Sequence, residues 1–335
     1  MRAWLEAYSF FSKPVCAWKA ARYRKGRKTA RRVPLPVVSV GNLALGGTGK
    51  TPLVCELIGH FLGRGYHPAL VTRGYRGSWE KTGGVLSDGR SLFGGAREAG
   101  DEPALIARRF PDAGVFVGRD RILSCLKAEA LGFDLCILDD AFQHLRLARD
   151  LDIVLHHPSA GLPLREGEGA LSRADILLLN RDAGAGAADG FRSRFPRLSV
   201  FEYGVAPRGL FRDGEGPPAP LSVLKGKRIL AVAGIARPGR FFDMLEKAGA
   251  AELIPRVFPD HYAYPPAGMS RIAALAARRE PDMILVTEKD AVKIGLSSRP
   301  FGDIPLLVLR LGIDLPSAFF EAVETAVSAG KAGRG

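Results

Sequence analysis

Residues 37–51 read Val37-Val38-Ser39-Val40-Gly41-Asn42-Leu43-Ala44-Leu45-Gly46-Gly47-Thr48-Gly49-Lys50-Thr51. A β-branched apolar run enters a glycine-rich turn, and the turn opens into a stretch of helical periodicity headed by Lys50 and Thr51. Gly46, Gly47 and Gly49 let the backbone bend inward with no Cβ in the way. N–H groups of such a loop, with the positive end of the helix that follows, cradle phosphate oxygens. Ala44, Leu45, Gly46, Gly47, Thr48, Gly49, Lys50 and Thr51 are therefore the candidate nucleotide-phosphate loop. Lys50 is placed to reach the β- and γ-phosphates of ATP, and the Thr51 hydroxyl to ligate Mg²⁺. The strict pattern wants a glycine six residues before the lysine, where this chain has Ala44. A chance cluster of glycines is the duller reading; the strand before it and Gly-Lys-Thr after it argue against that.

A loop of this kind needs a carboxylate at the end of a neighbouring strand. Leu135-Cys136-Ile137-Leu138-Asp139-Asp140 supplies four apolar residues and then two acids. One of them is expected to hold the metal or its waters, because Mg²⁺ prefers hard oxygen ligands. Working outward, short continuous apolar runs at 36–40, 69–72, 115–117, 135–138, 153–155 and 176–179 suit a parallel sheet buried on both faces. Stretches 50–62, 102–109 and 121–131 read as crossover helices. After a weakly periodic stretch, Gly214-Glu215-Gly216-Pro217-Pro218-Ala219-Pro220 reads as a boundary. Strands at 229–233, 283–287 and 305–309 and a helix at 240–248 then form a second unit. The predicted class is α/β, a P-loop NTPase-type parallel sheet flanked by helices plus a second, smaller α/β domain. The predicted divisions are 1–33, 34–216 and 221–328, with the chain fraying from 329.

Composition narrows the setting. A length of 335 residues suggests about two domains, and 47% hydrophobic with 25% charged residues excludes long disorder. The net charge is +13, and its placement is uneven. Ten Lys or Arg fall within residues 1–33 against one acid, Glu6. In that segment Trp4, Leu5, Tyr8, Phe11, Val15 and Trp18 form one helical stripe, and Pro14 is expected to kink or divide the helix. Aromatic rings followed by a Lys/Arg cluster suit an anionic membrane surface. A helix packed on the fold with a solvated basic tail is the bland rival, and no nucleic-acid-binding module accompanies the charge. The four scattered cysteines, Cys16, Cys55, Cys125 and Cys136, fit a reduced compartment. No apolar run reaches the length of a span, and Lys13, Pro14 and Lys19 break any signal-peptide core.

Further strings narrow the substrate. Gly41-Asn42 through Lys50-Thr51-Pro52, then Thr72-Arg73-Gly74-Tyr75, Gly100-Asp101-Glu102-Pro103, Gly118-Arg119-Asp120-Arg121, Asp139-Asp140-Ala141-Phe142-Gln143-His144, Leu164-Arg165-Glu166, Phe258-Pro259-Asp260-His261 and Thr287-Glu288-Lys289-Asp290-Ala291 occur in that order. Together they resemble the tetraacyldisaccharide 4′-kinase (lipid A 4′-kinase) family, from about residue 36 to about 294. The resemblance implies ATP-dependent phosphorylation of the 4′-hydroxyl of an acylated glucosamine disaccharide 1-phosphate. It implies a peripheral, monotopic protein at the cytoplasmic face of the inner membrane, with the active site between its two domains.

It also implies roles. Asp101 is the general base and His261 its partner, since a sugar hydroxyl is a poor nucleophile until its proton is taken. Asp139, Asp140 and Glu166 manage Mg²⁺, Gln143 and His144 line the nucleotide site, and Arg73, Tyr75 and Arg119 meet substrate. Duller roles compete: Asp101 as a helix N-cap with Pro103 in the first turn, His261 as an ordinary loop histidine, the arginines as surface ion pairs. Gly167 and Ala141 depart from the family's proline and glycine. His156 and His157 carry no motif, and Asn42 is expected to support the loop. A regulatory or assembly P-loop NTPase is the alternative function; the sequence implies no protein partner.

Overall fold

The computed structural model describes residues 2–44, 48–158, 161–212, 215–294 and 301–334, and only the backbone of 2–9, 11 and 215. Leu45, Gly46 and Gly47 of the loop therefore lie outside the described residues. The chain divides into two compact units, Met1–Val205 with Ile313–Gly335, and Ala206–Gly312.

The first unit opens with α1 (Arg2–Arg24), β1 (Val37–Asn42), α2 (Lys50–Gly63), β2 (Pro68–Thr72), α3 (Trp79–Thr82), β3 (Gly84–Asp88), α4 (Ala96–Ala99), α5 (Asp101–Arg109), β4 (Gly114–Val117) and α6 (Arg121–Ala130). It continues with β5 (Leu135–Asp139), β6 (Leu151–His156), β7 (Ile176–Asn180), α7 (Ala187–Arg194) and the first residues of β8 (Ser199–Arg212). The sheet order is β3-β4-β2-β5-β1-β6-β7-β8. All neighbours are parallel except β3 on β4. β1, β2, β4, β5, β6 and β7 are buried at every position, which is why they read as unbroken apolar runs. β1 lies between β5 and β6, so the loop and the two aspartates leave neighbouring strands at the carboxyl edge, where open α/β sheets bind ligands.

The second unit contains β9 (Glu215–Ala219), β10 (Arg228–Ala233), α8 (Pro238–Lys247), β11 (Glu252–Val257), α9 (Pro266–Arg279), β12 (Met283–Thr287), α10 (Glu288–Ile294) and β13 (Leu306–Asp314). Its parallel strands run β11-β10-β12-β13. β9 pairs antiparallel with the end of β8. Pro217 and Pro218 make that stretch look like a linker, but a strand off the main run tolerates residues without an N–H to donate.

Three features differ from the sequence expectation. The division falls after Val205, ahead of the Pro/Gly cluster. α11 (Ser317–Ala332) belongs with the first unit, where it buries Phe319, Val323 and Val327 and stacks Phe320 on His60 at 4.5 Å. Its end is tied down: Arg334 donates to Asp150 at 2.7 Å and Lys331 to Asp134 at 2.9 Å. Finally, α1 continues through Pro14 as one helix.

The last residues of the first unit before the division brace the phosphate loop. Tyr203 is fully buried, and its hydroxyl donates to the Thr48 carbonyl at 2.6 Å. Gly49 has φ +95°, and a Cβ there would come 3.2 Å from Val205 Cγ2. Tyr203→Phe strands a buried carbonyl and should lower stability by about 1–2 kcal/mol while raising the ATP concentration needed for half-saturation. Thermal melts and nucleotide titration of the variant check both.

Candidate active site

The loop is held from beneath by its neighbours. The Asn42 side-chain amide donates to Thr48 Oγ1 at 2.9 Å within the buried interior, so Asn42 supports the loop. Gln143 Nε2 donates to the Asn42 carbonyl at 3.1 Å. A Cβ on Gly41 would sit 2.5 Å from the Phe142 Cβ, so the turn after the aspartates crosses β1 at a point only glycine allows. Gly49 occupies the left-handed cap position of α2, and Lys50 and half-buried Thr51 form the first turn.

The two aspartates differ in kind. Asp139 is almost fully buried. Its Oδ2 accepts from the Thr72 hydroxyl at 3.3 Å, and its Oδ1 is a buried oxygen with no hydrogen-bond donor. Burial first, then Glu102 and Asp140, raise its pKa to about 7. Asp140 takes the left-handed conformation, φ +50°, and turns the other way. Lys50 Nζ stands 3.3 Å from its Oδ1, and Arg165 Nη1 donates to its Oδ2 at 2.8 Å. Burial alone would raise Asp140; Lys50 and Arg165 outweigh it and hold the carboxyl well below the usual range. Arg121 is buried too, donates to the Gly118 carbonyl at 2.8 Å, and lends its charge to both aspartates.

Glu166 is engaged elsewhere. Arg173 Nη2 donates to its two oxygens at 2.8 and 2.6 Å and lies 4.0 Å over the Phe142 ring. Among the described residues no cluster of three or more His, Cys, Asp or Glu could hold a metal by itself. The orphaned Asp139 oxygen is a hard donor of the kind Mg²⁺ takes alongside substrate phosphates.

Glycine contacts assemble the neighbouring loops. A Cβ on Gly74 (φ +68°) would meet the Ala99 carbonyl oxygen at 2.6 Å, and one on Gly77 would meet Ala99 carbonyl carbon at 2.7 Å. The segment carrying Arg73 and Tyr75 therefore packs on the turn that starts α5. Arg73 Nε donates to Glu80 at 2.7 Å, with Arg119 Nε 3.9 Å from the same oxygen, so both arginines sit on one carboxylate. Tyr75 is 59% exposed. Asp101 is the first residue of α5, and Gly100 holds the cap position at φ +95°; the capping role falls to Gly100.

His144 is half-buried, and burial together with Arg121, Arg149 and Arg146 lowers its pKa to about 4, which leaves a neutral ring among those arginines. His261 belongs to the second unit; it is left-handed at φ +62°, and its N–H donates to the Gly234 carbonyl at 3.1 Å. Buried His156 and His157 lie 3.4 Å from Glu168 and 3.8 Å from Asp182, structural settings for both. Thr72, Arg121 and Arg165 escape assignment from sequence although each stands in a quoted string, because only the fold reveals which member of a string turns toward the aspartates.

The Asp139 carboxyl gives a pH signature. Its pKa is raised in the folded chain, so its contribution to stability is fully present below about pH 4 and fades as pH rises through about 7. In metal-free buffer between pH 5 and 8, Asp139→Asn should flatten the fall in unfolding free energy, an effect on the order of a few kcal/mol, read from denaturant melts at each pH. Identical slopes for the two proteins would count against a protonated Asp139.

Comparison with known proteins identifies the family. The Tetraacyldisaccharide-1-P 4′-kinase family model matches residues 1–328. A tetraacyldisaccharide 4′-kinase of Geobacter sulfurreducens is 40% identical over 84% of this chain and 80% of its own length. That of Syntrophus aciditrophicus is 36% identical over 95% and 90%. A crystal structure of LpxK from Aquifex aeolicus in complex with ATP superposes with a TM-score of 0.75 at 27% identity, covering 98% of this chain and 99% of that one. The chain belongs to the tetraacyldisaccharide 4′-kinase family, and its activity is that family's ATP-dependent phosphorylation step in lipid A biosynthesis.

Proposed function

We propose that the chain transfers the γ-phosphoryl group of ATP·Mg²⁺ to the 4′-hydroxyl of a tetraacylated glucosamine disaccharide 1-phosphate, working at the cytoplasmic face of the inner membrane. The observation that carries the site reading is the triad Lys50–Asp140–Arg165, with distances of 3.3 and 2.8 Å. It sets one cation at the head of α2 and a second on the chain that closes the loop. Lys50 leaves Asp140 for the β- and γ-phosphates, and Thr51 with Asp139, beside Asp140, holds the metal. Bound Mg²⁺ neutralises charge developing on the phosphates. Gly49 and Thr48 supply backbone N–H groups to the phosphates, and Gln143 and neutral His144 shape the nucleotide side.

Asp101 takes the proton from the attacking hydroxyl, assisted by His261. Its support is position: it heads α5, away from the capping role, and the Gly74–Ala99 contact holds it near Arg73 and Tyr75. Those two, with Arg119, orient the sugar and its phosphate. Removing a general base costs typically 10²–10⁴-fold.

Membrane contact rests on α1. Phe10 is 75% exposed, Trp18 58% and Val15 49%, so these rings and chains present apolar surface to the surroundings. Lys28, Arg31 and Arg146 with Tyr23 rim a cavity of about 350 Å³ whose lining includes one carboxylate, Asp120, a setting for an anionic headgroup. Among the described residues no helix is long and apolar enough to cross a membrane.

In detergent with labelled ATP, Mg²⁺ and the disaccharide 1-phosphate, label should enter the lipid, and both Lys50→Ala and Asp101→Ala should lose at least about 100-fold in rate. ATP hydrolysis independent of lipid would instead favour the regulatory NTPase. The pair Phe10→Ser with Trp18→Ser should weaken partition onto anionic vesicles roughly tenfold; unchanged sedimentation with vesicles would remove the membrane role of α1.

A further inference from the structure

The string Thr287-Glu288-Lys289-Asp290-Ala291 has no part in the chemistry described so far, yet its aspartate is the most enclosed carboxylate of the second unit. Asp290, on α10, is fully buried. Its Oδ2 accepts from the Thr287 hydroxyl at 2.6 Å and from the Gly234 N–H at 3.1 Å. Lys293 Nζ lies 3.6 Å from its Oδ1, and that lysine side chain is also buried. Gly234 follows β10, and its carbonyl accepts the His261 N–H at 3.1 Å. One residue, Gly234, thus carries Asp290 on its N–H and His261 on its carbonyl, through the two peptide groups that flank its Cα.

Three facts show that the arrangement fixes geometry. His261 and Tyr264 both adopt left-handed backbone, φ +62° and +50°, conformations that persist only where the surroundings over-determine them. A Cβ on Gly234 would fall 3.0 Å from both Asp290 Oδ1 and the Tyr264 hydroxyl and 3.3 Å from Tyr262 Cβ, so even a methyl there would crowd Asp290 and the two rings. Phe258, Tyr262 and Tyr264 pack ring on ring at 4.5 to 5.3 Å around the same loop. A buried ion pair adds little net stability by itself. A charged acceptor locked under a strained loop sets where that loop points.

We propose that Asp290 is a positioning residue for His261, acting through the backbone on either side of the Gly234 Cα. The proposal rests on the reading of His261 as the partner of the base. Asp290 touches no substrate; it holds the Gly234 backbone so that the 258–264 loop presents the imidazole in one place. A displacement near 1 Å at a reacting group can cost about 100-fold in rate.

The test is a double-mutant cycle on the full chain in the lipid kinase assay, with Asp290→Asn, His261→Ala and both together. Asp290→Asn should lower kcat about tenfold to 100-fold with KM for ATP within about twofold, and it should cost nothing further in the His261→Ala background. Gly234→Ala, which perturbs the same backbone and keeps both charges, should repeat this pattern and serves if Asp290→Asn does not fold. Losses that add to those of His261→Ala, full activity of Asp290→Asn and of Gly234→Ala, or losses that track only the unfolded fraction in a melt would each overturn the role of Asp290. Full activity of His261→Ala would instead overturn the reading of His261 itself, and the positioning role with it.

Discussion

Two adjacent carboxylates at the end of a buried strand are the constraint around which the first unit is arranged. Left side by side, Asp139 and Asp140 would repel in a medium where burial already penalises charge. The chain separates them by placing Asp140 in the left-handed region, so the two side chains leave the backbone in different directions. Asp140 then collects Lys50 and Arg165 and stays ionised; Asp139, with Thr72 for a neighbour, holds its proton toward neutral pH. Lys50 is restrained at the head of α2, and one carboxylate oxygen is available to a cation.

The same pairing propagates outward. Arg165 reaches Asp140 by its side chain while its own N–H donates to the Leu43 carbonyl at 2.6 Å, and Leu164 bridges to Ala44. The residue that departs from the usual phosphate-loop glycine is therefore held in a short antiparallel bridge, a setting in which alanine is acceptable. On the far side, Tyr203 and Asn42 both engage Thr48. The described ends of the loop are thus fixed from β1, from β8 and from the segment at Leu164 and Arg165, a preorganisation of the kind phosphoryl transfer relies on.

Much of this was legible from residue order. Unbroken apolar runs announced a parallel sheet because its strands are buried on both faces, and Gly-Lys-Thr announced the helix that follows β1. What stayed hidden depended on contacts between distant segments. β9 escaped because two prolines mimic a linker, and α11 because its burial against the first unit follows from residues more than a hundred positions away, such as Phe201 beside Phe319. Site residues follow the same rule. Lys50 and the aspartates are fixed by local pattern, whereas Thr72, Arg121 and Arg165 acquire meaning only from the direction in which each side chain leaves its string. Glu166 follows the same rule: its pairing with Arg173, by two short bonds, is visible only in the fold.

The proposed membrane helix and the phosphate site share a short mechanical path. Ser12, midway along α1, donates its hydroxyl to the Arg165 carbonyl at 3.1 Å, and Arg165 is the residue that restrains Asp140. Cys16, one turn further along the helix, senses Glu166 and Arg173. A helix seated at an interface by Phe10, Val15 and Trp18 would thereby have its depth fixed relative to the charge cluster by one side chain. For an enzyme whose acceptor hydroxyl is carried on a lipid, that is a physical reason for α1 to be joined to Arg165 and not to a remote surface: the distance between membrane plane and phosphate loop becomes a property of the fold.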